Sequence, residues 1–229
     1  MDNTLTVTPK TRVKRAPKRA VYERDALYAI FDAAIVAHVG FQIEGQPFVI
    51  PTLCWRAGNS LYIHGAGSSR MLKHLDSGAP VCVTATHLDG LILAKSAFHH
   101  SANYRSACVF GAFTRVIDEL EWIESFRIFT EQIAPGRWDH IRPPSAKETK
   151  ATHVYKLSLD EASVKVRTGP PNDDPEDQAR PVWSGEIPVR QVFGPMQPDQ
   201  YAEGIAEPDY SEAYGRRWIA PASNERTTE

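Results

Sequence analysis

Between Ile35 and Ile117 the sequence breaks into short apolar runs separated by turn signals. The runs are IVAHVGFQI, FVIPTLCW, SLYIHG, APVCVTAT, LILAKSAFHH and NYRSACVFGAFTRVI, and the turns include EGQP, RAGN and LDG. Turns this short hold neighbouring strands antiparallel, because a parallel return needs a crossover of about a dozen residues. Six strands at this spacing form a meander whose edges must be hidden, which points to a small closed or half-closed barrel. The expected fold class is therefore mainly β, a six-stranded antiparallel barrel with flanking helices. Pro51 in FVIPTLCW has no N–H to donate and marks an edge, a bulge or a strand facing a ligand.

Helices flank the runs. Leu27, Ile30, Phe31 and Ala34 recur at helical spacing and predict a helix ending near Ile35. ELEWIESFRIFTEQIA, residues 119–134, places Leu120, Ile123, Phe126, Ile128 and Ile133 mostly on one side and is stopped by Pro135-Gly136. ATHVYKLSL reads as a further strand. With 229 residues and 42% apolar content the chain can bury one core. Three regions are expected: a basic N-terminal arm at 1–20 with little to bury, a barrel domain at 21–168, and a loop with C-terminal extension at 169–229 carrying Trp183.

A formal charge of -2 offers no field for nucleic acid or a membrane surface. Cys54, Cys82 and Cys108 lie in separate apolar runs, which suggests neither a disulfide framework nor a zinc site but free thiols in a reducing cytosol. No apolar stretch approaches the roughly 20 residues of a membrane helix, and no signal-peptide segment opens the chain. A cytoplasmic protein without a membrane partner is expected.

Chemistry concentrates in three places. In YIHGAGSSRMLKHL a strand gives way through two glycines to a helix start bearing Ser68, Ser69 and Arg70. Unpaired amides at a helix start attract anions, hydroxyls add donors, and a guanidinium suits two phosphate oxygens. The plainer reading makes a serine an N-cap and Arg70 a solvated surface residue. The second cluster, AKSAFHHSANYRS, crowds Lys95, His99, His100, Arg105 and Ser106 at a hairpin. Adjacent histidines on a strand point to opposite faces and no carboxylate or cysteine is close by, so no metal site is expected. Trp183 in PVWSGEIP either anchors the tail or walls an aromatic ligand.

The phrases HGAGSSR and SAFHHSANYRS, with FVIPTLCW before them and PVWSGEIPV after, resemble the pyridoxamine 5'-phosphate oxidase-like flavin proteins, in particular the nitroimidazole-resistance-like branch. The resemblance spans roughly residues 12–190. It implies a six-stranded split barrel, a homodimer, and FMN bound between the two chains. It places the FMN phosphate on Ser69 and Arg70, with Ser68 beside them. Val49, Ile50, Pro51 and Thr52 would lie along the isoalloxazine, and Ile63, His64 and Gly65 would border ring and ribityl chain. Arg105, Ser106 and Trp183 correspond to polar and aromatic groups near the flavin. Lys73, one turn beyond Arg70, is in position to assist the phosphate. His64 is the candidate catalytic residue of a reductase. FVIPTLCW lacks the basic residues of the oxidase branch, which argues against pyridoxamine-phosphate oxidation itself.

The function that follows is an FMN-dependent oxidoreductase, a nitroreductase-like enzyme taking electrons from NAD(P)H to a small electrophile such as a nitroaromatic or quinone. Two alternatives stand beside it: a flavin-binding storage or sensor protein without turnover, and a split barrel that binds F420 or, through the paired His99 and His100, haem.

Overall fold

The computed structural model describes residues 3–210. After a 3₁₀ turn at Pro17–Arg19, the elements are β1 (Ala20–Val21), α1 (Arg24–Ala33), β2 (Val36–Ile43), β3 (Gln46–Ala57), β4 (Ser60–Ala66), α2 (Arg70–Leu75) and β5 (Pro80–Leu93). Then follow β6 (Ser101–Ala112), β7 (Thr114–Arg115), α3 (Glu119–Ile133), α4 (Ala146–Ala151), β8 (Thr152–Ser158), β9 (Ala162–Arg167), α5 (Pro175–Gln178) and β10 (Gly185–Pro188). The strands form one antiparallel sheet in the order β1-β9-β6-β5-β2-β3-β4-β8-β7, with β10 added to β5.

The opening hairpins follow the expected turns. Glu44 (φ 50°) and Gly45 (φ 84°) form the two-residue link between β2 and β3, a left-handed pair that matches strand twist. Beyond β4 the meander expectation fails, because β5 pairs with β2 rather than β4. The far edge of β4 is already taken by β8, over seven residue pairs from Ser60↔Ser158 to Ala66↔Thr152. The short helix α2 carries the chain across to the vacant edge of β2. LDG is not a turn either: β5 runs straight through it, with a register shift between Leu88 and Gly90. Two of the six expected runs thus fuse into one strand, while β9 appears where no strand was expected. Pro51 is accommodated because β4 pairs β3 only from Cys54 to Ala57, so at Pro51 the strand has a neighbour on one side alone.

Among the described residues no ladder joins the two ends of the sheet, yet it curls around a single core. Ile63 of β4 and Tyr155 and Leu157 of β8 share that core with Ala107 and Val109 of β6 and Val164 of β9. Gly111 of β6 comes so close to β8 that a Cβ there would stand 2.9 Å from Leu157 Cδ1. This is a split barrel: the ends touch through side chains without exchanging hydrogen bonds.

A second, aromatic core forms where α3 covers the outer face of β3, β4 and β8, joining Trp55, Tyr62, Val154 and Trp122. Asp118 caps α3 by accepting the Glu121 N–H at 2.7 Å. The buried face of α3 centres on Trp122 and Ser125, whereas Leu120, expected inside, is 78% exposed. The sequence pattern ranked aliphatic positions, but the large rings fill the space between helix and sheet.

The first twenty residues do more than their basic composition suggests. Leu5 is 1% exposed and belongs to the main core, with its N–H donating to the Tyr22 carbonyl at 2.7 Å. The segment after residue 168 is tied down by a buried arginine. Arg167 donates to the Asn103 side chain and to the carbonyls of Gly169 and Pro170, and Asn103 in turn donates to Glu186 of β10 at 2.8 Å. The end of the expected C-terminal extension, 211–229, lies outside the described residues. No helix among the described residues is long and apolar enough to cross a membrane.

Truncating Leu5 tests the role of the arm. Leu5→Ala is expected to lower the unfolding free energy by about 2 to 5 kcal/mol, the range for a buried leucine. Chemical denaturation followed by tryptophan fluorescence measures it, and an arm that merely lies on the surface would give almost no change.

Candidate functional site

The corner after β4 is built by close approach rather than unusual backbone. Neither Gly65 nor Gly67 has a positive φ. A Cβ on Gly65 would stand 3.0 Å from Leu72 Cδ1, and one on Gly67 would stand 2.7 Å from Nε2 of His153. Only glycine lets α2 and β8 close on this turn.

Ser69 occupies the N-cap of α2, but its side chain makes no capping bond. The first helical bond runs from the Lys73 N–H to the Ser69 carbonyl, so the amides of Arg70, Met71 and Leu72 have no partner within the helix. Arg70 is exposed, with its guanidinium carbon 4.4 Å from the centre of the Phe48 ring. Phe48 is itself stacked on Phe41 at 5.5 Å. Among the described residues no carboxylate pairs with Arg70. Ser68 and Lys73 are also exposed. The capping reading of Ser69 is therefore right about its position and wrong about its bond. A positive group held over a ring, beside an uncommitted hydroxyl and free amides, can receive an anion.

Alternation along β3 sorts the other expected residues. Phe48 and Ile50 pack against the main core, while Val49 is 66% exposed and Pro51 and Leu53 also face outward. Thr52 shares the inward parity. Ile63 is fully buried in the core, and on that strand only its backbone can border a ligand.

His64 points to the opposite face of β4. Its ring lies 5.6 Å from Trp55, 5.2 Å from Phe126 and 5.4 Å from Phe129, centre to centre. Its Nδ1 is buried without a hydrogen-bond partner. Burial pushes its pKa below the ordinary histidine value, so the imidazole is neutral at neutral pH. The aromatic cage was foreshadowed by Trp122, Phe126 and Phe129, spaced four and three apart on α3, a signal that helix periodicity alone reads as ordinary core.

Arg105, Ser106 and Trp183 lie elsewhere. Arg105 and Ser106 are adjacent on β6 and so face opposite sides. Arg105 makes a bidentate pair with Asp89 at the β5 bulge, Nη2 to Oδ1 at 2.8 Å and Nε to Oδ2 at 3.0 Å. It borders a cavity of about 320 Å³ together with Thr86, His87, Val189 and Arg190. Ser106 donates to the Lys165 carbonyl at 3.3 Å. Trp183 is largely exposed, with its ring set over Gly185. Lys95 ties this hairpin to the later loop, its ammonium donating to the carbonyls of Gln178 and Arg180 at 2.6 and 2.9 Å. One chain thus places Ser68, Ser69, Arg70 and Lys73 at the β4–α2 corner, with Arg70 over Phe48 of β3, while Val49 and Pro51 face outward on β3 and His64 lies behind β4. Arg105 and Ser106, on β6, are placed beyond β2 and β5, whereas Trp183 precedes β10, which lies on the β2 side of β5.

The family model described as pyridoxamine 5'-phosphate oxidase matches residues 23–166, from the helix α1 through β9. The chain belongs to this family. Among solved structures in the same fold, flavocytochrome Anf3 from Azotobacter vinelandii is 41% identical, covers 90% of this chain and 97% of its own, and superposes with a TM-score of 0.85. A FAD and haem binding protein from Mycobacterium smegmatis is 32% identical over 86% of this chain and 97% of its own, with a TM-score of 0.81. A Bacteroides thetaiotaomicron protein provisionally assigned to 5-nitroimidazole antibiotic resistance is 21% identical over 64% of this chain and 86% of its own, with a TM-score of 0.55, and shares the fold alone. Comparison with curated proteins gave no match.

The neutral state of His64 has a thermodynamic consequence. Its folded pKa lies below the unfolded value, so in the acid range the unfolded chain binds more protons and stability falls as the pH drops below the ordinary histidine pKa. Denaturation at pH 7.5 and pH 5.5, values bracketing that pKa, is expected to show a smaller acid loss in His64→Phe than in the wild-type chain. Equal losses would place His64 outside the buried set.

Proposed function

We propose that the protein is a flavin-dependent redox protein, in which the corner at Ser69 and Arg70 holds the flavin phosphate. The observation that carries this is the unpaired Arg70 guanidinium stacked on Phe48 beside an uncapped Ser69 and free amides. Val49 and Pro51 offer an exposed apolar strand face for the ring system. FMN, with a terminal dianionic phosphate, is the flavin of this reading, and the same donors suit the pyrophosphate of FAD. A flavin held there by Ser69 and Arg70 would supply two-electron redox chemistry between NAD(P)H and a small electrophile of nitroaromatic or quinone type. The chain's own part is to grip the phosphate, keep His64 neutral beside the strand face, and exclude water through the rings of Trp55, Phe126 and Phe129. Two copies form a homodimer in this reading. Support comes from the position of Arg105 and Ser106 on β6, beyond two strands from the corner, where a second copy can bring them to the first copy's flavin.

A second cofactor, haem, is favoured by two observations. The relatives that are 41% and 32% identical are a flavocytochrome and a FAD and haem binding protein. In this chain His64 is a neutral imidazole in an aromatic cage, with its Nδ1 unpaired. A neutral ring nitrogen in apolar surroundings suits an iron centre, so His64 is the residue that would hold a haem iron.

Absorption spectra of the purified protein test both assignments, with flavin bands and a Soret band expected together. Arg70→Ala is expected to weaken flavin binding by about 1.5 to 3 kcal/mol, the range for hydrogen bonds to a charged group, while His64→Ala loses the Soret band and keeps the flavin. Unchanged flavin affinity in the arginine variant would overturn the phosphate assignment. Anaerobic titration with NADH and NADPH reports turnover, and a flavin that stays oxidised would leave a storage or sensor role.

A further inference from the structure

We propose that the basic strap at residues 10–19 is a docking surface for a small acidic electron-carrier protein. That the partner carries electrons rests on the redox reading above; the surface itself does not. Lys10, Arg12, Lys14, Arg15, Lys18 and Arg19 put six positive charges into ten residues that hold no carboxylate. With those six removed from the formal charge of -2, the rest of the chain carries -8. The molecule is therefore bipolar, and a concentrated positive field lies on the strap.

The strap is folded, so its charges stand in fixed places. Leu5 anchors it in the main core, and Thr11 is buried. The Thr11 hydroxyl donates to the Thr6 carbonyl at 3.1 Å and accepts the Thr8 N–H at 2.8 Å, while the Arg12 N–H donates to the Thr8 carbonyl at 3.0 Å. Ala16 then bends the chain, through a left-handed φ of 53°, into the 3₁₀ turn at Pro17–Arg19, and β1 ties the end of the strap to β9. An alanine held in that conformation marks a bend that the surroundings impose.

Lys10, Arg12, Lys14, Arg15 and Lys18 are exposed. Lys10 pairs with Glu161 at 2.9 Å, and among the described residues no carboxylate stands within ion-pair distance of the other five cations. Burial, and after it the charge of Arg19, holds the Arg167 guanidinium below its ordinary pKa, so the field of the strap reaches β9 without being neutralised. Like charges gathered this way repel one another in the lone molecule. An acidic partner surface relieves that repulsion.

The strap also has a place relative to the site. Ala20 pairs with Lys165, and Lys165 with Ser106. Its end thus lies two strand spacings, about 10 Å, from Ser106, which the homodimer reading brings to the flavin of the second copy. Encounters between redox proteins are small and weak, and charge steers the partner in and lets it leave. The composition disfavours other polyanions. No aromatic side chain stands between Lys10 and Arg19 to stack on a base. Val13 is the sole branched apolar residue there and is half-buried, which leaves little to insert into a lipid surface.

The test takes the full-length protein as purified and a plant-type ferredoxin as the acidic probe, with association followed by biolayer interferometry. Binding is expected at low ionic strength, with association slowing steeply as salt rises. The triple variant Lys14→Glu/Arg15→Glu/Lys18→Glu is expected to associate at least about ten-fold more slowly, whereas Lys14→Arg/Lys18→Arg behaves as wild type. Circular dichroism and a thermal melt check that these exposed substitutions leave the fold intact. Wild type that does not bind at low salt, binding that ignores salt, or a triple variant that binds like wild type would overturn the proposal. So would tighter binding of duplex DNA or phosphatidylserine vesicles that the same variant loses. Flavin absorbance of the same sample separates the two readings: binding without flavin sinks the redox assignment, and flavin without binding sinks this one.

Discussion

Because β8 occupies the far edge of β4, the strand β5 that follows α2, and β6 after it, find their ladder on the opposite side of β2. That one pairing turns a would-be meander into a sheet that grows at both ends and bends until β6 meets β8. It also fixes where α2 lies: the helix has to cross the mouth of the barrel, and its first residues are left at the rim with amides unpaired. The tight turn at Gly65 and Gly67 follows from the same crossing, since α2 and the His153 ring press on the turn from two sides.

Two electrostatic regimes sit on either side of β4. On the rim, Arg70 keeps its charge in contact with water and an aromatic face, a setting where attraction to an anion is modest per contact but easily formed. Behind the strand, His64 loses its charge to burial among rings and offers a lone pair instead. A site with both an accessible cation and a neutral nitrogen serves ligands of different chemistry side by side. The Arg105–Asp89 pair shows the opposite arrangement, in which a guanidinium is already neutralised by its own chain and mainly holds the β5 bulge in place.

Much of this was legible in the residues. The hairpin at Glu44–Gly45, the extent of α3 and the strand-to-helix corner all announce themselves through turn chemistry and periodicity. The path after α2 was not, because choosing between two open strand edges depends on β8, a segment far along the chain whose pairing no local pattern encodes. LDG misled for a related reason: a bulge and a turn use the same residue types, and only the partner strand tells them apart. The buried role of Leu5 was hidden by its neighbours, since one apolar residue in a basic stretch carries no period. The corner's glycines and serines were visible, whereas the cage around His64 required knowing that α3 lies across β4.

One edge of β5 is shared by two strands, β2 along Cys82–Thr84 and β10 along Gly90–Leu93. The second of these follows every other described strand in the chain and leaves the ribosome after them. Until it arrives, the nascent chain carries an open ladder bordered by Leu88 and Leu91, the type of edge that recruits stray strands. Biogenesis therefore depends on that late-arriving piece, and a chain cut short before it would expose a sticky border even with the rest of the barrel folded.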